Sequence, residues 1–483
     1  MTTEAQAAQG TVTKTVPAAD LERVTADLAK TPGARLADMF ASDGEVPTLR
    51  LVWALESGYL VTETEIEGDQ YPALSDVAPA AFVEECEIYE QFGIRPVTGK
   101  PLNRLMLPPH AGPARGVPGG RPPGPTLPRL GHPPARPPED VHAPHTVGGQ
   151  AFEFPFGPVR QVGAESLYYG LVTSGEEVVD VYLFTWHKHR GVEWRLRGRT
   201  PGQAMFFAER AEGLSAVAVG WAFAAAAEAA LGVAPPPAAG RTRAVALELE
   251  RLLRVNAAAF GHRYLFGVVE PGGATRTPDT DVLRRDLPGA YGELRRAADA
   301  LLGTNSFVDR LEACGILTAE QARRLGLVGP VARATGIAAD ARLNASAPQN
   351  GNPYVGHPVM VATAEDGDVF ARFQVMLAEA AESVRLIGEF LDAGTAAECA
   401  ALPVKGAAVA GGGSGLGWAA SSRGEVLAWV ALDEDGRITR ARLRPGSVRN
   451  WRGFDDACRS QNVFTDIPII EASFWLTAAG MAR

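Results

Sequence analysis

The chain reads as an α+β protein: a small N-terminal α+β domain (1–110), a Pro/Gly-rich disordered linker (111–150), and a mainly helical C-terminal domain with β-hairpins (151–483). Three observations lead there. The 483 residues are 46% apolar and 21% charged, which fills a sizeable core and exceeds one ordinary domain. Residues 111–150 hold 11 of the 36 prolines and almost no large apolar side chain. The apolar pattern alternates with period two before that stretch and follows i, i+3/i+4 spacing after Thr200.

Leu21–Phe40 has a helical rhythm. TLRLVWALESGYLVTETEI alternates like two strands joined at ESGY, and AAFVEECEIYEQFGI is an acidic helix that ends near Gly93. The linker cannot bury enough surface to offset its ordering entropy, so it is expected to be extended and solvated. Residues 151–185 predict a β-hairpin turning at SGEE. From Thr200 to about Gly394 helices dominate; Pro201 and Asp368 suit first-turn positions, and Thr318 with Gln321 offers a capping box. Gly213–Gly232 carries only Glu228 as a charge, but nine of its twenty residues are Ala, so it predicts a buried helix and no membrane insertion. Residues 423–445 predict a second hairpin around DEDG.

Charge and motifs exclude several function classes. A net charge of −10 argues against a general nucleic-acid binder. Cys86, Cys314, Cys399 and Cys458 form no C-x-x-C pair, so reduced thiols in a cytosolic protein are expected. The first residues lack the basic and apolar regions of a signal peptide. GGGSGLG (Gly411–Gly417) has no Lys-Ser/Thr and precedes a strand, which predicts a flexible turn and not a phosphate loop. WHKHR (Trp186–Arg190) puts two histidines on one strand face without a third ligand. No strand–GxGxxG–helix unit supports dinucleotide binding by this chain itself.

Segments read together are more informative. EECEIYEQFGIRPVTGKPLNRLMLP (Glu84–Pro108) resembles the signature of the 30-kDa-type subunit of complex I. HRGVEWRLRGRTPGQAMFFAERAEG (His189–Gly213), TAEQARRLGLVGPVARATG (Thr318–Gly336), FARFQVMLAEAAESVRLI (Phe370–Ile387), SSRGEVLAWV (Ser421–Val430) and NVFTDIPIIEASF (Asn462–Phe474) follow in family order. They resemble the quinone-site subunit of complex I and the large subunit of hydrogenase-4 or formate-hydrogenlyase type nickel–iron hydrogenases. In those hydrogenases E-R-x-C-G-x-C and D-P-C-x-x-C supply four thiolates that hold nickel and iron, soft ligands suited to both metals. Here ERAEGLS and FWLTAAG put Glu212, Ser215, Thr477 and Gly480 at those positions. The resemblance therefore implies no nickel–iron centre in this chain and an iron–sulfur cluster in a partner subunit.

The quinone handles of the complex I relatives are also replaced. GPVRQVGAE places Arg160 and Ala164 where histidines stand in that family, and Gly213 where a tyrosine stands. A quinone-type cavity is left open, without its usual donors. Glu165 matches a proton-passing glutamate of the first hairpin, and Glu212 falls where it would face the emptied cavity. Arg190 and Glu193 come from the R-G-x-E turn and Arg333 from GPVAR. Two readings stand. Glu165 and Glu212 line a wet cavity and relay protons, burial strengthening a carboxylate's hold on its proton. Alternatively Arg190, Glu193 and Arg333 form buried ion pairs that hold hairpin to helices. LELERLLRVNAAAFGHRYL runs together two stretches that the family separates, a deletion beside the cavity.

The implied function is a cytoplasmic-face, peripheral subunit of a membrane-associated hydrogenase-4-like or NADH:quinone-oxidoreductase-like complex. It would pack against a small iron–sulfur subunit and antiporter-like membrane subunits, and any NAD link would come through other subunits. The alternative is a non-catalytic scaffold that keeps the interface and has lost the chemistry.

Overall fold

The computed structural model describes residues 11–42, 46–98, 102, 151–157, 165–184, 189–233, 243, 253–343, 353–395, 412–459 and 461–483. The linker 111–150, Arg160, Ala164, His187 and Cys399 lie outside these residues, as does most of LELERLLRVNAAAFGHRYL before Leu253.

The N-terminal unit is a four-stranded sheet backed by helices. Its strands are β1 (Thr11–Thr15), β2 (Arg35–Ser42), β3 (Thr48–Leu55) and β4 (Gly58–Glu65), in the order β1-β4-β3-β2. β3 and β4 pair antiparallel across the Glu56-Ser57 turn, as the alternation predicts. The acidic helix α2 (Phe82–Phe92) ends on Gly93, whose left-handed φ of 73° costs glycine little. The helical rhythm over Leu21–Phe40 needs correction. Helix α1 (Leu21–Lys30) stops before Pro32-Gly33, and RLADMF belongs to β2. That strand is buried on both faces, Leu36 and Met39 toward one core and Ala37 and Phe40 toward another. An apolar run buried on both sides cannot be told from a helix by periodicity.

Both hairpins expected in the C-terminal domain gain a third strand. β5 (Ala151–Phe156), β6 (Tyr168–Ser174) and β7 (Glu177–Phe184) form one sheet, turning at Gly175-Glu176. β8 (Gly413–Ser421), β9 (Gly424–Leu432) and β10 (Ile438–Arg444) form another. GGGSGLG is thus no flexible turn: Gly413–Gly417 lie inside β8. The Ala-rich helix α3 (Ala216–Leu231) is almost wholly buried and lies directly on that strand. A Cβ at Gly415 would sit 2.2 Å from the Ala226 carbonyl oxygen, and one at Gly417 would sit 2.1 Å from that of Ala222. Glycine is what lets strand and helix backbones approach this closely.

Thr318 and Gln321 form the expected capping box at the start of Ala319–Leu325. Thr200 and Gln203 form another ahead of helix α4 (Pro201–Ala208), with Pro201 in its first turn. Asp368 is the N-cap of helix α5 (Val369–Asp392), accepting from the Ala371 N–H at 2.8 Å, one step earlier than expected. Helix α6 (Gly446–Cys458) sets Phe454 against Tyr169 of the β5–β7 sheet, with ring centroids 5.5 Å apart, in a core that also holds Trp451 and Leu171.

The N-terminal unit does not hang free. The outer face of its sheet shares a core with the β8–β10 sheet, with Phe40 on Trp429 and Tyr59 on Trp418 at ring separations of 5.1 and 4.6 Å. Beside that core, the acidic helix α2 meets arginines of β10, of α6 and of the chain's last turn. Glu87 pairs with Arg442 at 2.6 Å and with Arg483 at 3.0 Å, and Glu84 pairs with Arg449 at 3.0 Å.

A buried hydroxyl, carboxylate and guanidinium cluster at the candidate site

The four positions marked by the sequence come together. Glu212 precedes a short 3-10 turn, Gly213–Ser215, that feeds α3; Thr477 caps the last helix, Ala478–Met481. Ser447, at the start of α6, donates its hydroxyl hydrogen to Glu212 Oε1 at 2.8 Å. A Cβ on Gly480 would lie 2.7 Å from the same Ser447 oxygen. Ser215 accepts from Arg423 Nη1 at 2.9 Å, and Arg423 Nε donates to the Trp475 carbonyl at 2.7 Å. Arg423 sits in the β8–β9 turn, where Ser421 Oγ accepts from its backbone N–H at 3.1 Å. Thr477 Oγ1 accepts from the Ala479 N–H at 3.0 Å.

Glu165 accepts from the backbone N–H groups of Ala478 and Ala479, the latter at 3.0 Å. Arg190 reaches across the cluster. Its guanidinium donates to the carbonyls of Arg210 at 2.6 Å, Ala211, and Ala479 at 2.7 Å. Burial pulls the Arg190 pKa down, partly offset by the charges of Glu165 and Glu212, so both carboxylates lie within its field. Glu212 is 1% exposed, and its second oxygen has no hydrogen-bond partner among the described residues.

Glu193 and Arg333 sit elsewhere, in buried ion pairs. Glu193 accepts from the Leu443 N–H at 2.8 Å and from Arg483 Nε at 3.1 Å. Burial favours its neutral form, but Arg442 and Arg483 outweigh that and hold its pKa below the usual range. Arg333 pairs with Asp340 at 3.1 Å and with Glu379. Arg190, by contrast, directs its guanidinium hydrogen bonds to carbonyl oxygens and not to a carboxylate. A large cavity of about 1070 Å³ does exist, between the N-terminal unit and the C-terminal domain. Of the five singled-out charged residues only Arg333 lines it; Glu165 and Glu212 do not.

Three further residues were not singled out from the sequence, although Glu209 and Arg423 lie inside segments that carry the resemblance. Arg423 and Ser447 lie far from both thiolate-like segments in the chain, and only folding brings them in. Glu209 is the third: 4% exposed, with both carboxylate oxygens accepting from the Gly267 N–H at 2.8 and 3.0 Å. Burial pushes its pKa up to about 7, against the smaller pull of that N–H, Arg210 and Arg276. Its signal was its place three residues before Glu212.

This donor set does not fit a nickel–iron centre. It offers one carboxylate, two hydroxyls and a bare glycine, and all three side chains already hydrogen-bond to protein. Soft thiolates have been exchanged for hard oxygens or nothing. Among the described residues, no group of three or more His, Cys, Asp or Glu is placed to hold a metal ion.

Comparison with known proteins agrees with this architecture. Residues 14–118 match the family described as respiratory-chain NADH dehydrogenase, 30 Kd subunit, and residues 243–408 match the corresponding 49 Kd subunit family. Formate hydrogenlyase subunit 5 of Escherichia coli is 26% identical, over 87% of this chain and 79% of its own. The carbon monoxide-induced hydrogenase of Rhodospirillum rubrum is 27% identical, over 66% of this chain and 96% of its own. Hydrogenase-4 component G of Escherichia coli is 24% identical, over 86% and 77%. Among solved structures, a chain of the membrane-bound sulfane sulfur reductase, an archaeal respiratory membrane complex, shares the fold with a TM-score of 0.62 at 20% identity. That match covers 70% of this chain and 100% of the other. The chain therefore carries a complex I 30-kDa-type unit and a 49-kDa-type unit fused in one polypeptide in that order.

Proposed function

We propose that this protein is a peripheral subunit of a membrane-associated redox complex of the hydrogenase-4 or NADH:quinone-oxidoreductase kind, without a nickel–iron centre of its own. One observation carries the reading: the family fold is kept while oxygen side chains and a glycine stand at all four thiolate positions. The partners are a small iron–sulfur subunit, which supplies the cluster, and membrane subunits; the chain lies on the cytoplasmic face. Its own contribution is proton handling. Glu212, one of whose buried oxygens has no hydrogen-bond partner among the described residues, is the proton carrier, with the Arg190 guanidinium beside it. The Ser447 hydroxyl orients the other oxygen. Glu165, bound to the Ala478 and Ala479 N–H groups, is the second carboxylate whose charge acts on Arg190.

The test is proton-coupled turnover of the purified membrane complex, with nickel and iron quantified in the same preparation. Glu212→Gln is expected to lower turnover at least about tenfold with nickel absent. Unchanged turnover removes the relay. That outcome leaves the scaffold reading, which the buried ion pairs of Glu193 and Arg333 favour.

A further inference from the structure

Three stretches meet the Glu212 segment at the candidate site: the β8–β9 turn with Arg423, the start of α6 with Ser447, and the last helix with Gly480. The N-terminal unit grips each of them two or three residues further along the chain. Glu425, two beyond Arg423, accepts from Tyr59 Oη at 2.5 Å and pairs with Arg35 at 2.7 Å. Arg449, two beyond Ser447, donates to the carbonyls of Ala37 at 3.0 Å and Ala80 at 2.7 Å and pairs with Glu84 at 3.0 Å. Arg483, three beyond Gly480, gives Nη2 to both oxygens of Glu87 at 3.0 Å. We infer that the N-terminal unit braces the candidate site, with Glu87 and Tyr59 as positioning residues that act through Arg483 and Glu425. This takes the Glu212 cluster as the working site, as proposed above, and gives the N-terminal unit a part in shaping it.

The grip is stiff because all three anchors, Glu425, Arg449 and Arg483, are buried. Letting go of a partner would leave a charge uncompensated in the interior. Arg483 makes the shortest route into the site. The same guanidinium that holds Glu87 donates Nη1 to the Gly480 carbonyl at 3.0 Å and Nε to Glu193 at 3.1 Å. Its planar donors are fixed in direction, so a shift of Glu87 turns the whole fork. The turn that Arg483 ends also carries the Ala478 and Ala479 N–H groups that bind Glu165, and the Ala482 carbonyl that accepts from the Arg190 N–H at 2.8 Å. Across from it, a Cβ on Gly480 would lie 2.7 Å from Ser447 Oγ, and Ser447 is bound to Glu212. Displacing the turn therefore reaches both carboxylates of the site.

The experiment uses the full chain within its complex and reads amide hydrogen exchange at 475–483 and at 421–425, with α3 as internal reference. Glu87→Gln leaves one acceptor where two are used and turns an amide N–H toward a guanidinium. It is expected to speed exchange at 475–483 at least about tenfold, with 421–425 and α3 at the parent rates. Tyr59→Phe is expected to speed exchange about threefold at 421–425 alone. A merely cohesive junction would loosen all three regions together. Arg483→Lys keeps the charge but cannot serve Glu87, Glu193 and the Gly480 carbonyl at once; it should give an intermediate rate at 475–483 and covers the case in which Glu87→Gln does not fold. Parent-like exchange at 475–483 in Glu87→Gln or in Arg483→Lys, or an equal rise in all three regions, overturns the brace. Exchange is read without turnover, so the two readings fail separately: unchanged turnover in Glu212→Gln removes the relay and leaves the brace standing.

Discussion

Two buried polar regions of this molecule are built on opposite terms. At the junction of the two units, carboxylates and guanidiniums are matched: Asp38, Glu84 and Glu87 against Arg442, Arg449 and Arg483, and Glu425 between Arg35 and Arg444. Burial alone would raise the pKa of Glu425, yet Arg35 and Arg444 hold it at about 2. Around Glu212 the charges meet hydroxyls and backbone carbonyls, one carboxylate oxygen goes without a partner, and nearby Glu209 is pushed up to about 7. The difference is one of charge pairing and not of complete satisfaction. Glu84 Oε2 at the junction also has no hydrogen-bond partner among the described residues, yet each junction carboxylate faces at least one guanidinium and so serves architecture. Around the candidate site burial is less fully offset by opposite charge, as the upward push on Glu209 shows.

The contrast can be broken most directly at the junction. Arg442→Ala strips buried Asp38 of its guanidinium partner and leaves Glu87 with Arg483 alone, and is expected to cost about 3–5 kcal/mol in chemical denaturation. A loss below about 1 kcal/mol would mean that the pairs are not what joins the units. Next comes Glu209, whose pKa rises from its ordinary value of 4.5 to about 7 on folding. The folded state then binds the extra proton between these values, so stability contributed by the neutral form is present at low pH and lost as pH rises toward 7. Over that window the loss is on the order of 3 kcal/mol. Glu209→Gln should flatten that fall in thermal-melting midpoints taken from about pH 4.5 to 8; parallel curves for parent and variant would refute it.

Smaller effects sharpen the picture. Gly417→Ala drives a methyl into the Ala222 carbonyl and should cost about 1–3 kcal/mol, loosening the wall between α3 and β8 that stands beside the candidate site. A neutral result in urea titration would show that strand and helix can part. Glu212→Gln is the mildest for stability, below about 1 kcal/mol, because the amide oxygen still accepts from Ser447. That variant thus separates chemistry from folding. A large loss of stability would place Glu212 with the architectural carboxylates after all.

Legibility in the sequence followed the range of the signal. The β3–β4 alternation, the capping box at Thr318, the acidic helix ending on Gly93 and the buried Ala-rich helix were all readable, because each depends on neighbours within one turn or strand. RLADMF read as helix, since a strand apolar on both faces has no period of its own. GGGSGLG read as a loose turn, because only α3, some 190 residues earlier, shows why the glycines are there. At the site, the thiolate-like positions Glu212, Ser215, Thr477 and Gly480 were legible as substitutions within recognisable segments. Their pairing was not: Arg423 lies in a matched segment and Ser447 in none, and nothing along the chain says that they meet Ser215 and Glu212.

What the chain determined by itself is the exchange of sulfur for oxygen at three positions and for a bare glycine at the fourth. With it goes the ligand chemistry ruled out, since side-chain identity alone sets donor softness. What only the tertiary structure decided is which groups surround the exchanged positions and which carboxylates stay unpaired. Those depend on groups far apart in the chain meeting within hydrogen-bonding distance, as Arg190 and Ala479 do at a separation of 289 residues. Pairing in a low-dielectric interior is a property of distance in space, and no reading of order along the chain contains it.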